Sequence, residues 1–581
     1  MNRRWILVLL MACGVAGADA NQDLEFAQKL GARGLDAMAR QVLDDLIASG
    51  NPEQVRAGRY GKALLLKQEA SIARIRFLRA LEEGDAPPVT REEVLRLYAE
   101  AGRPIEEYVQ SQKEAIEPAF LLGELLQEHA EFLAGASYPD SEEFVETVAK
   151  LVEAHRDEAA QLFEKAIANY KRVIEPYVTG KKPLPEDPED PIFVRVSLAE
   201  MQAGIALFRW ALIYPKGANF TYKMDEAIET LDDFLQRHFE DLFGAYAMIY
   251  IGRGFYEKGA RMGDVDELEV ALGYFEQLIE QIDEQPSNPS TVDVLAETFY
   301  WYNRTCNLIA RGDGLKKPQP VYFDNTLASG VKLGQKLKYG SDHRYALLAR
   351  LEVADAYAAR EDYESSVGIA GEVLAAARVA NQRRVAKIAT SRLTRWVANV
   401  AGAGALGPGL LYQIGESLAA QGRTANAITF YEKAVASSGT DEMKEKWAYP
   451  ARLRIARAYR ADKRYFAASE VAWAVVEEFL ATGQEEDTPF GQTASEACNT
   501  ARLAWKSISG LTERSADNSR YQSILKTFQD KFPGHPDNSD AAFGGALDVF
   551  NDGKYEMAAG RLKDISPTSR NYWRAQRMVP V

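Results

Sequence analysis

Histidine and cysteine are scarce in this sequence, with five and three residues among 581. His129, His155, His238, His343 and His535 stand far from one another and from any cysteine. No ligand set has metal-binding spacing, and neither a metal nor a cofactor is expected. Positive charge is also short: 84 acidic residues outnumber 69 Lys and Arg, for a net charge of −15. Such a surface repels phosphate backbones and anionic headgroups, which excludes nucleic acid as a partner class. Beyond the N-terminus we find no apolar run of the roughly 20 residues that a bilayer-crossing helix needs, so no membrane span is expected. Alternating strand patterns with turn dipeptides are missing. So are the phosphate-binding loop, the G-x-S-x-G elbow and the H-E-x-x-H pair, which removes the commonest NTPase and hydrolase signatures.

The N-terminus carries a processing signal. Arg3 and Arg4 precede an apolar core from Trp5 to Ala16, and Ala18-Asp19-Ala20 is a small-x-small cleavage site. Residues 1–20 are therefore read as a signal peptide, and the mature chain as exported, periplasmic or secreted. Leu10-Met11-Ala12-Cys13 also resembles a bacterial lipoprotein box, which makes Cys13 a candidate for lipidation and an outer-membrane anchor. Met11 is large for its slot, so cleavage after Ala20 is the reading adopted.

What fills the rest is helical periodicity, with apolar residues three and four apart. Helices are predicted from Pro104 to Leu133, Asp140 to Tyr177 and Pro191 to Ile213. Thr179 to Asp190 holds three prolines, which deny helix continuation. Other breaks fall at Tyr214–Phe220, Asp283–Ser290, Arg311–Pro320 and Ala401–Gly409. They divide the mature chain into segments 21–89, 90–213, 214–400 and 410–581.

Small residues recur in these segments at fixed offsets. One unit holds Leu411, Ile414-Gly415, Leu418, Ala427, Tyr431 and Ala434. The next holds Ala456, Tyr459, Ala468, Ala472 and Val475. An earlier one holds Ala354, Tyr357, Ser366, Ala370 and Val373. The first mature unit has Ala27, Leu30, Ala39, Leu43, Leu46 and Pro52; the last has Ala546, Val549, Ala558, Leu562 and Ile565. Nine positions after the small residue, Tyr363, Tyr465 and Tyr555 each follow a polar turn. A small residue lets two helices approach, a large one three positions on fills the space beside it, and the Tyr can cover the corner. This pattern resembles the tetratricopeptide repeat, two antiparallel helices in about 34 residues. Segments 214–281 and 521–536 fit more loosely, and 90–178 fits poorly. Exported bacterial envelope proteins of this family are similar in the Pro533-Gly534-His535-Pro536 ending.

The resemblance implies an all-α fold, an α-α superhelix of antiparallel helix pairs with a concave wall of first helices. In such a coil Cys306 and Cys498, 192 positions apart, fall in different repeats, so two buried thiols are expected rather than a disulfide. The concave register assigns Tyr412 and Glu416 to one unit, Arg457 and Arg460 to the next, and Asp355 to an earlier one. These are the candidate partner-binding residues. Glu416 with Arg457 and Arg460 would clamp an extended peptide or its terminal carboxylate, or else pair within the chain.

Other motifs read as structure. Gly402-Ala-Gly404-Ala-Leu-Gly407 follows a helix and precedes Pro408, the context of a connector rather than a nucleotide loop. Arg311-Gly312-Asp313 sits in a plain turn, and Asn303 within a helical pattern. Glu416-Ser417 lacks the separate catalytic lobe of superhelical transglycosylases. Phe299-Tyr300-Trp301-Tyr302 wraps all round a helix, so the run is mostly core. The expected function is a non-catalytic protein-interaction scaffold of the bacterial cell envelope, binding a protein or peptide. A glycan- or peptidoglycan-binding module and an all-α toroid hydrolase are the alternatives.

Overall fold

The computed structural model describes residues 20–579, apart from 34, 84–85, 113, 137–141, 186, 188, 240, 283–287, 316, 338–340, 398–405, 421, 513, 552 and 566–570. The signal-peptide core, Cys13, Gly402 and Gly404 lie outside the described residues. Everything described is helix or turn, which bears out the all-α reading, and successive helices pack in consecutive pairs. The chain falls into two compact units, residues 1–361 with 376–386, and residues 362–375 with 387–581.

The first unit runs α1 Ala20–Ala32, α2 Asp36–Ala48, α3 Pro52–Glu83, α4 Arg91–Ser111, α5 Ile116–Leu133, α6 Glu142–Val178, α7 Pro191–Leu212, α8 Ala218–His238, α9 Leu242–Met262, α10 Val265–Gln281, α11 Pro289–Arg311, α12 Tyr322–Lys336 and α13 Arg344–Ala359. Helices α14 (Tyr363–Val379) and α15 (Arg383–Val397) are divided between the units. The second continues with α16 Pro408–Ala420, α17 Thr424–Ser437, α18 Asp441–Met443, a π-helical turn Lys444–Ala448, α19 Tyr449–Ala461, α20 Tyr465–Thr482, α21 Pro489–Thr512, α22 Ser515–Lys531, α23 Asn538–Asn551, α24 Tyr555–Lys563 and α25 Tyr572–Met578.

Local chemistry sets these boundaries. Thr90, Asp190, Asp241, Asp264 and Asn288 cap α4, α7, α9, α10 and α11, each side-chain oxygen accepting from a first-turn N–H. At the hairpin corners one residue takes the left-handed conformation: Asn381, Gly422, Lys463 and Gly553. The next N–H then reaches back five residues, from Gln382 to Ala377, Arg423 to Leu418, Arg464 to Tyr459 and Lys554 to Val549. This closing bond of the Schellman turn satisfies an orphan helix carbonyl and reverses the chain in two residues. Glu361 adopts the same conformation ahead of α14. Tyr363, Tyr465 and Tyr555 are the first residues of α14, α20 and α24. Tyr555 is 60% exposed, and its ring meets Phe550 across the corner at 5.1 Å.

The repeat offsets correspond to packing. Ala27, Ala39, Ala354, Ala370, Ala427, Ala456, Ala468, Ala546 and Ala558 are all buried. A Cβ placed on Gly252 would stand 2.6 Å from the Phe275 ring, and one on Gly415 2.5 Å from Tyr431. Only glycine lets each first helix come so close to its partner.

Three expectations need correction. Pro104 does not start a helix; it lies inside α4, and the predicted 104–133 helix breaks at 112–115 into α4 and α5. Segment 90–178, poor in repeat spacing, still forms ordinary pairs, α3 with α4 and α5 with α6. Helix α7 is long and apolar enough to cross a membrane by composition, although no such run was expected. Most of its apolar side chains are buried, Val196, Ala199, Ala203, Ala206, Leu207, Phe208 and Ala211 in the core shared with α5, α6 and α8, and Met201 and Ile205 in the next. Cys306 and Cys498 are buried free thiols, as expected, and burial pushes both up to about 12.

Candidate functional site

In the first unit α3, α5, α7, α9, α11 and α13 form one layer, each touching the next, while α4, α6, α8, α10 and α12 back them as second helices. The second helices make no comparable row of mutual contacts, so the first-helix layer is the crowded inner wall of this unit.

A row of charge crosses that wall. Helix α5 carries Glu117, Glu124, Glu128 and Glu131, spaced seven, four and three apart, hence on one face. Cations from both neighbours meet them. From α3, Lys67 Nζ lies 2.8 Å from Glu124 and Arg74 3.6 Å from Glu128. From α7, Arg195 lies 2.7 Å from Glu117 and Arg209 3.9 Å from Glu131. Ser71 and Tyr98 donate to Glu128 at 2.8 and 2.9 Å. Burial works to lower the Lys67 ammonium, yet Glu124 and Glu128 hold it above its ordinary value. Burial works to raise Glu128, but Arg74, Lys67 and the two hydroxyls keep its carboxyl below the usual range. Burial pushes the Glu117 carboxyl up despite Arg195, so the row is held by its cations from both sides, and most firmly at Glu128.

An aromatic and arginine cluster continues it. Tyr246, Tyr250 and Arg253 lie four and three apart on α9, and Asp293, Glu297, Trp301 and Arg304 share a face of α11. The Arg253 guanidinium lies 4.6 Å from the Trp301 ring centre and 5.0 Å from that of Tyr250. It also pairs with Glu297 at 3.3 Å, which accepts from Trp301 Nε1 at 3.3 Å. Arg304 donates to the Tyr256 hydroxyl at 3.1 Å and to Tyr300. Tyr345 of α13 tilts against Tyr300 at 5.6 Å, and His343 Nε2 stands 2.9 Å from Asp293. Burial first, then Asp293 and Glu297, push the half-exposed Tyr246 phenol up to about 12, so it stays neutral and able to donate. Phe299, Tyr300, Trp301 and Tyr302 are all buried, which bears out the core reading of that run. Tyr246, Tyr250 and Tyr345 are the rings of this cluster that reach the surface.

The second unit has a smaller version. Glu416 of α16 accepts from Arg454 of α19 through both oxygens, 2.9 Å each, and from the Tyr431 hydroxyl at 2.6 Å. Tyr412, one turn before Glu416, packs 5.7 Å from Tyr431 and 5.8 Å from Trp447. Burial works to lower the Arg454 guanidinium, but the Tyr412 hydroxyl and the Glu416 charge raise it. Arg457 pairs with Glu496 of α21, whose other oxygen is 3.5 Å from His535 Nε2.

The candidate residues are therefore arranged differently from the spacing argument. Glu416 holds Arg454, not Arg457 or Arg460, and is no freely solvated carboxylate. Arg460 is exposed in the last turn of α19. Asp355 belongs to the first unit, where Arg311 lies 3.4 Å from it. Sequence reasoning missed Arg454 and Trp447, and the whole α5, α9 and α11 wall. The signal was there: carboxylates and rings at offsets of three, four and seven. Among the described residues no group of three His, Cys, Asp or Glu could hold a metal ion.

Residues 410–438, the α16–α17 hairpin, match the family model of the tetratricopeptide repeat. No curated protein matches the chain.

Proposed function

We propose, from the premise that the chain is a tetratricopeptide-repeat protein, that it is a scaffold holding an extended segment of a partner protein against the inner wall of its first unit. Tetratricopeptide repeats in general are non-catalytic and mediate protein–protein interactions. The observation that carries the reading is the wall itself. Tyr246 offers a neutral donor, and Tyr250 and the paired Arg253 and Glu297 line the same surface, already held in place. An extended chain exposes carbonyls, N–H groups and side chains every 3.3 Å or so, and such a wall can meet each kind. Preorganised groups lose little freedom on binding.

Peptide is favoured over glycan because Tyr256, Tyr300 and Trp301 are at most 8% exposed, which leaves Tyr246, Tyr250 and Tyr345 as partly covered rings rather than an open ladder. It is favoured over hydrolysis because Glu117, Glu124, Glu128, Glu131 and Glu297 each face a cation. The place of action in this reading is the bacterial cell envelope, and the support is the signal pattern of residues 1–20. The test is capture from envelope extract with the tagged mature chain and with Tyr246→Ala. A protein retained by the first and lost at least tenfold by the second, at equal helicity, supports the reading. Equal capture by both, or capture of glycan alone, overturns it. Fractionation placing the chain in the cytoplasm overturns the envelope part.

A further inference from the structure

The outer layer of the first unit carries a second surface, with its own chemistry. Helices α8 and α10 are second helices of successive pairs. A groove of about 480 Å³ runs between them, lined by Asp232, Leu235, Gln236, Phe239, Val270, Gly273, Tyr274 and Gln277. The lining positions step by three, one and three on both sides, 232-235-236-239 and 270-273-274-277. Each side is thus a two-turn stripe of a helix, about 10 Å long at 1.5 Å per residue. Two such stripes side by side are the seat that a third helix needs to lay a ridge into a groove.

The seat mixes apolar Leu235, Phe239, Val270 and Gly273 with polar Asp232, Gln236, Tyr274 and Gln277, and its two helices are acidic. Phe239 and Val270 are 45% and 43% exposed, and a Cβ on Gly273 would meet nothing within 4 Å. Asp232 accepts from Gln236 at 3.3 Å inside the groove. Helix α10 holds Asp266, Glu267, Glu269, Glu276 and Glu280 and no cation. Helix α8 holds Asp225, Glu226, Glu229, Asp232 and Asp233 against Lys223 and Arg237. Lys258 of α9 pairs with Asp225 at 2.9 Å and Glu267 at 2.7 Å, so ten carboxylates stand against three cations, an acidic excess that repels an acidic amphipathic helix and attracts a basic one.

We infer that this groove docks a cationic amphipathic helix of a partner protein, two turns of which insert apolar residues at i, i+3 or i+4 and i+7 while Lys and Arg flank them. The surface is separate from the inner wall, so each stands or falls alone.

The probe is a labelled 14-residue helical peptide with Leu at those positions and Lys elsewhere, beside a twin with Glu for Lys. Both are titrated into the full chain by fluorescence anisotropy at about 0.15 M salt. The Lys peptide binds the wild type. Gly273→Trp, which fills the groove where there is open space, weakens it at least tenfold, and Val270→Lys does likewise. The Glu twin binds at least tenfold more weakly, and Tyr246→Ala changes nothing. Undiminished binding to Gly273→Trp and Val270→Lys overturns the inference, as does equal binding of the twins. A wild-type dimer that Gly273→Trp dissociates also overturns it, because the occupant is then a second copy of this chain.

Discussion

Substituting Gly415 by Ala tests how the helix pairs nest. The new Cβ would stand 2.5 and 2.6 Å from two ring carbons of Tyr431, where ordinary contact begins near 3.4 Å. Tyr431 is 2% exposed, so its ring cannot swing out to solvent without unpacking the hairpin. Its hydroxyl donates to Glu416, which holds Arg454, so a ring displaced by about 1 Å strains that chain as well. Overpacking costs about 1–3 kcal/mol, and a weakened hydrogen bond to a charged group about 1.5 kcal/mol more. A loss of about 2.5–4.5 kcal/mol is expected by urea unfolding. Hydrogen exchange should localise the change to α16, α17 and α19. In a Tyr431→Ala background the same substitution should cost less than about 1 kcal/mol, because the clash is gone. A loss under about 0.5 kcal/mol in the wild-type background, or an equal loss in both backgrounds, would refute the nesting argument.

Three further outcomes follow from the same physics. Lys463 sits at φ 61°, so Lys463→Val should cost about 1–2 kcal/mol in thermal unfolding while Lys463→Gly costs nothing or stabilises slightly. Burial lowers His129 to about 4, against roughly 6.5 unfolded; the unfolded chain then binds the extra proton between those values. Stability is complete above about pH 6.5 and falls by up to about 3 kcal/mol by pH 4, and His129→Phe should flatten that segment of the pH profile. Glu128→Gln leaves Arg74 without its anion and weakens the field on Lys67, which keeps Glu124, and should cost about 2 kcal/mol, with Glu128→Ala costing no less, both read by urea unfolding.

The fold was readable because its determinants are local. Ala427, Gly415 and Tyr431 declare a close helix crossing by their offsets alone, and the prolines of 179–190 declare a break. Pro104 misled because a helix tolerates proline where the lost bond is absorbed within a long, well-packed helix such as α4. Segment 90–178 looked irregular because α6, at 37 residues, outruns the 34-residue period. The site was far less readable. Tyr412 and Glu416 were found from register, but their partner Arg454 depends on how far one helix slides along the next. That slide also decides which cation meets Glu117, Glu124, Glu128 and Glu131, and offsets along one helix carry no record of it. Apolar composition likewise could not say that α7 is walled in by its neighbours.

The central claim is that the inner wall of the first unit holds another polypeptide. Its most direct measurement is in-cell photo-cross-linking with a benzophenone side chain at position 246 on the wall and, in parallel, at Glu361, exposed after α13. The account predicts a discrete cross-linked protein band from position 246, lost when Arg253 and Glu297 are both replaced by Ala, and none shared with position 361. The same bands from both positions, or none from position 246 while the chain is folded, would contradict it.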